Sequence, residues 1–395
     1  MLKSLFGVDY DDVWKALIRP PKDEYLESDL GPKQFLIENK LYTRTDIELK
    51  NKRGHKIVCS HWEPKIRLVE RLPCVVYLHG NCSSRLEAVS EAKILLPMNI
   101  TLFALDFSGC GKSEGEYISL GWYEKEDVEC VIEYLRKTNS VSTIGLWGRS
   151  MGAVTALMYS VTDPTIAGIV LDSPFSSLNL LVKELVKEKI SLPDFIISSA
   201  ISVVKSSVKK RAKFDLNDIE PINFAGSCFI PALFCSAKDD NFVKPHHSKK
   251  LFDVYQGEKN ITSVDGDHNS VRPKYFKDSA AIFFYNSLQV EFLKQISDNF
   301  TGFIYKKEEN KDNKNYEVKV IEKKGGEKLD KIIKEESKEV DKEGEVIYDN
   351  CEVDINLNDL NIQEEDEDDD EAEFLKAIEE SKKEFEKQNK KNENK

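Results

Sequence analysis

Residues 143–154 read TIGLWGRSMGAV and place Ser150 between Gly148 and Gly152. The first five residues predict a short buried strand, and the residues after the serine predict a helix. A G-x-S-x-G stretch between a strand and a helix requires a very sharp turn, which needs small residues two positions before and after the serine. The serine hydroxyl then stands exposed above the sheet. The stretch therefore predicts a nucleophilic Ser150, the alternative being a small residue in a tight turn.

A serine hydroxyl needs a neighbouring base, and that base needs a group that orients it. In folds with such a turn, the acid and the histidine follow later strands, in the order serine, acid, histidine. Downstream of Ser150, the strand-like run FIPALFCSAK precedes Asp239 and Asp240, and the run NITSV precedes His268. We therefore predict His268 as the base and Asp239 or Asp240 as the acid. Asp172 is a third candidate for the acid.

Two backbone N–H groups are expected to hold the oxyanion of an acyl-transfer intermediate. One comes from Met151, the residue after the nucleophile, and the other from the turn in YLHGNCSS, which follows an early strand. We predict Asn81 as the second donor, with Cys82 as the alternative. His79 is not expected to be the catalytic base, because it precedes the serine.

Between residues 57 and 288, short apolar runs alternate with stretches of helical periodicity. The runs are apolar throughout, as is typical of strands covered by helices on both faces. The pattern predicts an α/β domain with a mainly parallel sheet. Residues 179–224 carry two amphipathic, lysine-rich stretches and predict a helical insertion over one end of the sheet. Two ordinary outer-layer helices are the alternative.

Six motifs in this order resemble the α/β-hydrolase superfamily of the serine-aminopeptidase-like type: YLHGN, LDFSGCGKSEG, GLWGRSMGA, LDSPFSS, DDNFVKPHHS and GDHNS. The resemblance implies an eight-stranded core over residues 42–298, a Ser-Asp-His triad and a lid at about 179–224. The acid of this group lies in a D-x-x-V turn. That spacing favours Asp240 over Asp239, since Val243 follows Asp240 by three positions.

The ends of the chain differ from this domain. Residues 1–41 predict an amphipathic extension, for which packing on the domain and contact with a membrane surface are both open. Residues 299–363 are rich in lysine and glutamate and poor in aromatic residues, which predicts a disordered linker. Residues 364–395 contain an acidic run and a helix that resembles a ubiquitin-interacting motif. The face that would bind ubiquitin carries Phe374, Ala377, Ile378 and Ser381.

Composition excludes several other classes of function. The net charge is −13, and nine of these negative charges lie between Glu364 and Glu373, so the rest of the chain carries about −4. A basic face is missing, and nucleic acid is therefore not an expected partner. The eight cysteines form no C-x-x-C pair, so we expect no zinc site, and the motifs imply no metal or organic cofactor. Such free cysteines predict a cytoplasmic protein, with peripheral membrane contact left open.

These patterns predict a serine hydrolase that cleaves an ester, thioester or amide through an acyl-enzyme intermediate. The substrate would be an acyl-bearing small molecule, lipid or peptide. The alternative is a ubiquitin-binding adaptor that uses a hydrolase-like scaffold with little turnover.

Overall fold

A central sheet of nine strands organises the chain. The computed structural model describes residues 10–37, 40–67, 69–189, 194–293, 303–309, 316–324 and 327–331. The strands of the central sheet are β1 (Gln34–Ile37), β2 (Lys40–Lys50), β3 (Lys56–Pro64), β4 (Leu72–Leu78), β5 (Thr101–Leu105), β6 (Val141–Arg149), β7 (Gly168–Asp172), β8 (Ala232–Ala237) and β9 (Lys259–Val264). Their order across the sheet is β1-β2-β3-β5-β4-β6-β7-β8-β9.

The six strands from β4 to β9 pair in parallel, whereas β1, β2 and β3 join them through antiparallel pairs. The predicted α/β class with a mainly parallel sheet is thus confirmed. The expected number of eight strands is wrong, because the sheet has nine. The predicted pattern of strands and helices begins at residue 57, so it does not include β1 and β2. Burial varies along β2 from exposed to buried, so its sequence lacks the continuous apolar run that marks the inner strands.

Helices cover both faces of the sheet. They are α1 (Tyr10–Ile18), α2 (Ala88–Leu95), α3 (Glu124–Lys137), α4 (Met151–Ser160), α5 (Leu178–Lys189), α6 (Asp194–Ala212), α7 (Pro221–Ala225), α8 (Pro245–Val254) and α9 (Lys274–Ser287). Successive residues of a strand point to opposite faces. Val76 and Leu146 accordingly belong to the core packed on α3, α4 and α8, whereas Val75 and Trp147 belong to the core packed on α2 and α9.

The predicted helical insertion forms α5 and α6 between β7 and β8. Helix α1 packs against α6 through Trp14 and Ile18, which are 4% and 0% exposed. The Arg211 guanidinium lies over the Trp14 ring, 4.4 Å from its centroid. The apolar side of α1 is therefore covered by protein. None of the described helices has the length and apolar character needed to cross a bilayer.

Two predicted boundaries differ from the described structure. Residues 34–37 and 40–41 are predicted to lie in the N-terminal extension, but they form β1 and the start of β2 within the central sheet. Residues 299–363 were predicted to be a disordered linker, but β10 (Phe303–Glu309), β11 (Tyr316–Lys324) and β12 (Glu327–Lys331) form a separate antiparallel sheet there. Tyr316, Val318 and Val320 alternate with charged residues, which is the period of a strand. The predicted ubiquitin-binding tail, 364–395, lies outside the described residues.

Candidate active site

Ser150 is the single residue between the end of β6 and the start of α4. Its backbone has φ 51° and ψ −114°, a positive φ that non-glycine residues rarely adopt. Such a conformation costs about 1–3 kcal/mol and persists only where neighbouring contacts fix it. One such contact is the hydrogen bond from the Ser150 N–H to the carbonyl oxygen of Asp172, at 2.7 Å. The strained turn therefore places the Ser150 side chain outside both β6 and α4.

The two glycines that flank the serine are required by close backbone contacts. A Cβ atom at Gly148 would lie 2.2 Å from the carbonyl oxygen of Gly152. A Cβ atom at Gly152 would lie 2.0 Å from the carbonyl oxygen of Leu78 at the end of β4. Both distances are far below van der Waals contact. The motif therefore brings the first turn of α4 directly against the ends of β4 and β6.

His268 lies in the loop between β9 and α9 and faces Ser150. Its Nε2 atom is 3.0 Å from Ser150 Oγ, and its Nδ1 atom is 2.7 Å from Asp240 Oδ2. A carboxylate at Nδ1 places the imidazole proton on that nitrogen and leaves Nε2 free to accept the proton of the serine. The side chain of His268 is 13% exposed, whereas that of Asp240 is fully buried. The three predicted residues are therefore adjacent, in the arrangement that proton transfer requires.

The turn after β8 explains why Asp240 rather than Asp239 meets the histidine. Asp240 Oδ1 accepts hydrogen bonds from the N–H groups of Phe242, at 3.0 Å, and Val243, at 2.7 Å. These bonds fix the carboxylate and leave Oδ2 directed at His268. Asp239 is exposed. The third candidate, Asp172, forms an ion pair with Arg272 instead of contacting His268.

The turn after β4 lies beside the serine. A Cβ atom at Gly80 would be 3.9 Å from the Cβ atom of Ser150. The Cys82 N–H, the alternative oxyanion donor, donates to the side-chain oxygen of Asn81 at 2.9 Å. This N–H therefore already has a partner. Met151 is the first residue of α4, so its N–H has no partner within the helix. Asn81 and Met151 therefore stay the predicted oxyanion donors.

His79 stabilises this turn. Its Nε2 atom accepts the N–H of Phe107 at 3.1 Å, so the proton of the neutral ring is on Nδ1 and is donated to the carbonyl oxygen of Gly80 at 2.6 Å. The side chain is fully buried. Both nitrogens are thus occupied, which explains why His79 does not face Ser150 as a base.

Two arginines beside the candidate triad were missed in the sequence. Arg149 donates to the carbonyl oxygen of His268 at 2.9 Å, and Arg272 forms a buried ion pair with Asp172 at 2.8 Å. Arg149 directly precedes the serine, and Arg272 follows the histidine by four positions. Proximity to the motifs was the one available signal, because an arginine is ordinarily a surface residue.

One group of described side chains, Glu184, His246 and His247, has ligand atoms within 4.8 Å of one another. The backbone N–H of Ser176 donates to His247 Nδ1 at 3.2 Å, which places the proton of the neutral ring on Nε2, 3.3 Å from Glu184 Oε2. Burial, followed by the charge of His246, lowers the pKa of His247 to about 4. A protonated Nε2 is unsuited to a metal ion. The group instead links α5 to α8.

A comparison with protein families matches the part of the chain that contains Ser150. The family described as serine aminopeptidase, S33, matches residues 70–212, from β4 to the end of α6. The uncharacterized protein YqkD of Bacillus subtilis is 25% identical over 198 residues, 49% of this chain and 64% of that protein. Human monoglyceride lipase is 30% identical over 134 residues, 33% of this chain and 43% of that protein. The chain thus spans less than two thirds of either relative.

Solved structures extend the likeness over most of the described residues. An esterase from Pyrococcus furiosus is 22% identical and superposes with a TM-score of 0.50. The superposition covers 69% of this chain and 97% of the esterase. At this identity the likeness concerns the fold alone. Together with the parallel sheet and its covering helices, it shows that the chain has the α/β-hydrolase fold.

Proposed function

We propose that the chain is a serine hydrolase that cleaves carboxylic esters through an acyl-enzyme intermediate, with thioesters and amides as related substrates. The observation that carries the proposal is the chain of contacts from Ser150 through His268 to Asp240, at 3.0 and 2.7 Å. The similarity to monoglyceride lipase over 134 residues supports an ester of a small molecule or lipid as the substrate. The family match over residues 70–212 supports a hydrolase reaction, whereas the fold alone does not determine the substrate.

In the proposed mechanism, Ser150 Oγ attacks the carbonyl carbon of the ester while its proton passes to His268 Nε2. The Asp240 carboxylate stabilises the imidazolium through Nδ1. The carbonyl oxygen gains negative charge in the tetrahedral intermediate and accepts hydrogen bonds from the N–H groups of Met151 and Asn81. Collapse of this intermediate breaks the bond to the alcohol, which takes the proton from His268, and leaves the acyl group on Ser150.

Water then completes the reaction. His268 takes a proton from the water as it attacks the acyl carbon, and a second tetrahedral intermediate forms on the same oxyanion donors. Its collapse returns the proton to Ser150 Oγ and releases the carboxylic acid. Each step uses only groups of this chain and the two substrates.

Hydrolysis of p-nitrophenyl esters of increasing acyl length tests the proposal. The wild-type chain is compared with Ser150→Ala and with the control Ser160→Ala. Ser160 is the last residue of the same helix, is 2% exposed and has a hydroxyl with no hydrogen-bond partner among the described residues. We expect Ser150→Ala to abolish turnover and Ser160→Ala to retain it. Equal rates in Ser150→Ala and the wild type would refute the proposal.

A further inference from the structure

Two arginine side chains hold the loop that carries His268: Arg149, which donates to the carbonyl oxygens of His268 and Ser270 at 2.9 and 3.2 Å, and the buried Arg272. Arg272, which is 6% exposed, donates from Nη1 to the carbonyl oxygens of Asp267 and Ser270, at 3.1 and 3.0 Å. Its Nη2 atom donates to the carbonyl oxygen of His268 itself, at 3.3 Å. Three carbonyl groups within four residues therefore converge on one guanidinium, which fixes the path of the loop.

The same guanidinium is anchored to the strand next to the nucleophile. Arg272 Nε lies 3.1 and 2.8 Å from the two carboxylate oxygens of Asp172, the last residue of β7. Nη2 also donates to Ser173 Oγ at 3.1 Å. A guanidinium has five N–H groups, and the acceptors around Arg272 account for all of them. Asp172 is 2% exposed, so the loss of either partner would leave the other as an unpaired buried charge.

Asp172 also contacts the turn that carries Ser150. Its carbonyl oxygen accepts the Ser150 N–H at 2.7 Å, while its carboxylate binds Arg272. The next residue, Ser173, donates its N–H to the carbonyl oxygen of Cys235 in β8, the strand that leads to Asp240. Asp172 thus joins the serine turn to the histidine loop through Arg272.

The geometry points to Asp172 and Arg272 as a positioning pair that sets the separation between Ser150 Oγ and His268 Nε2. This inference rests on the proposed function. The pair acts through the backbone of both turns. Displacement of a reacting group by about 1 Å can cost about 10²-fold in rate. The pair therefore contributes to the chemical step as well as to folding.

The test compares Arg272→Gln and Asp172→Asn with the control Arg44→Gln. Arg44 is 4% exposed and forms a similar ion pair with Asp46, at 3.1 Å, but lies on β2, four strands from β6 in the sheet. We expect kcat for a p-nitrophenyl ester to fall about 100-fold in both site variants, with KM within about threefold. The control should lose stability and keep kcat. Arg272→Lys should recover little, because an ammonium cannot reproduce the planar fork.

A second readout needs no substrate and therefore separates this inference from the proposed function. The His268 Nδ1 proton lies in a 2.7 Å hydrogen bond to Asp240 and is expected far downfield in the proton NMR spectrum. The resonance should be present in the wild type and Arg44→Gln and shifted or lost in Arg272→Gln. If Arg272→Gln does not fold, the same resonance is measured in Asp172→Asn, which replaces the carboxylate by a neutral isostere. An unchanged resonance and an unchanged kcat in a folded site variant would overturn the inference.

Discussion

Replacement of Gly152 by alanine tests the packing that creates the serine turn. The new Cβ atom would lie 2.0 Å from the carbonyl oxygen of Leu78 and 2.7 Å from that of His79. Both contacts are with backbone, which cannot rotate away as a side chain can. To reach an ordinary contact of 3.4 Å, the end of β4 and the start of α4 must separate by about 1.4 Å.

The expected loss follows from this displacement. Overpacking of this kind costs about 3 kcal/mol in unfolding free energy, which exceeds the gain of about 1 kcal/mol that alanine brings to a helix. A net loss of about 2 kcal/mol lowers the melting temperature by about 4–8 °C in a domain of this size. The start of α4 also carries Met151, so a shift of about 1 Å should reduce ester hydrolysis by about 10²-fold.

Gly226→Ala is the matched control for this substitution. An added Cβ atom at Gly226 has no heavy atom within 4 Å, and its φ of −67° suits alanine. We expect this variant to gain about 0.4–1 kcal/mol through the unfolded state. Thermal and denaturant unfolding of both variants, with ester hydrolysis measured in parallel, gives the comparison. Equal stability and equal activity in Gly152→Ala and Gly226→Ala would refute the reasoning.

Three further substitutions test other parts of the account. Asp240→Asn should lower kcat by about 10⁴-fold, because the neutral amide no longer fixes the histidine tautomer, whereas Asp239→Asn, at an exposed site, should leave ester hydrolysis unchanged. Burial lowers the pKa of His61 to about 4, so the unfolded chain binds a proton between pH 6.5 and 4 that the folded chain does not. Between pH 7 and pH 4, the free energy of unfolding should therefore fall by about 3 kcal/mol less in His61→Leu than in the wild type. Denaturant midpoints at the two pH values measure this difference. Trp14→Ala should cost about 3–5 kcal/mol in unfolding free energy, since Trp14 packs against α6, while Val13→Ala, 41% exposed, should change it by less than about 0.5 kcal/mol.

The inner part of the fold could be predicted from sequence because its signals are local. The strands β4, β5, β7 and β8 are buried along their whole length and are apolar at nearly every position. The order of residues in a parallel sheet then places the ends of β6, β8 and β9 at one edge. Ser150, Asp240 and His268 were expected together for that reason, and the structure brings them together.

Other features depend on partners that are distant in the sequence. The hairpin of β1 and β2 has a mixed pattern because it lies at the edge of the sheet, where part of each strand is exposed. The role of Arg272 depends on Asp172, one hundred residues earlier. No local sequence pattern predicts such an ion pair, since the two residues come together only when the chain folds.

The most direct test of the central claim is covalent labelling by a fluorophosphonate probe, with the modified residue identified by peptide mass spectrometry. Such a probe reacts with a serine that an adjacent base activates. The account predicts rapid modification of Ser150 in the wild type and in Ser160→Ala, and a large loss of labelling in His268→Ala. A folded wild-type chain that stays unlabelled, or one labelled at a different serine, would contradict it.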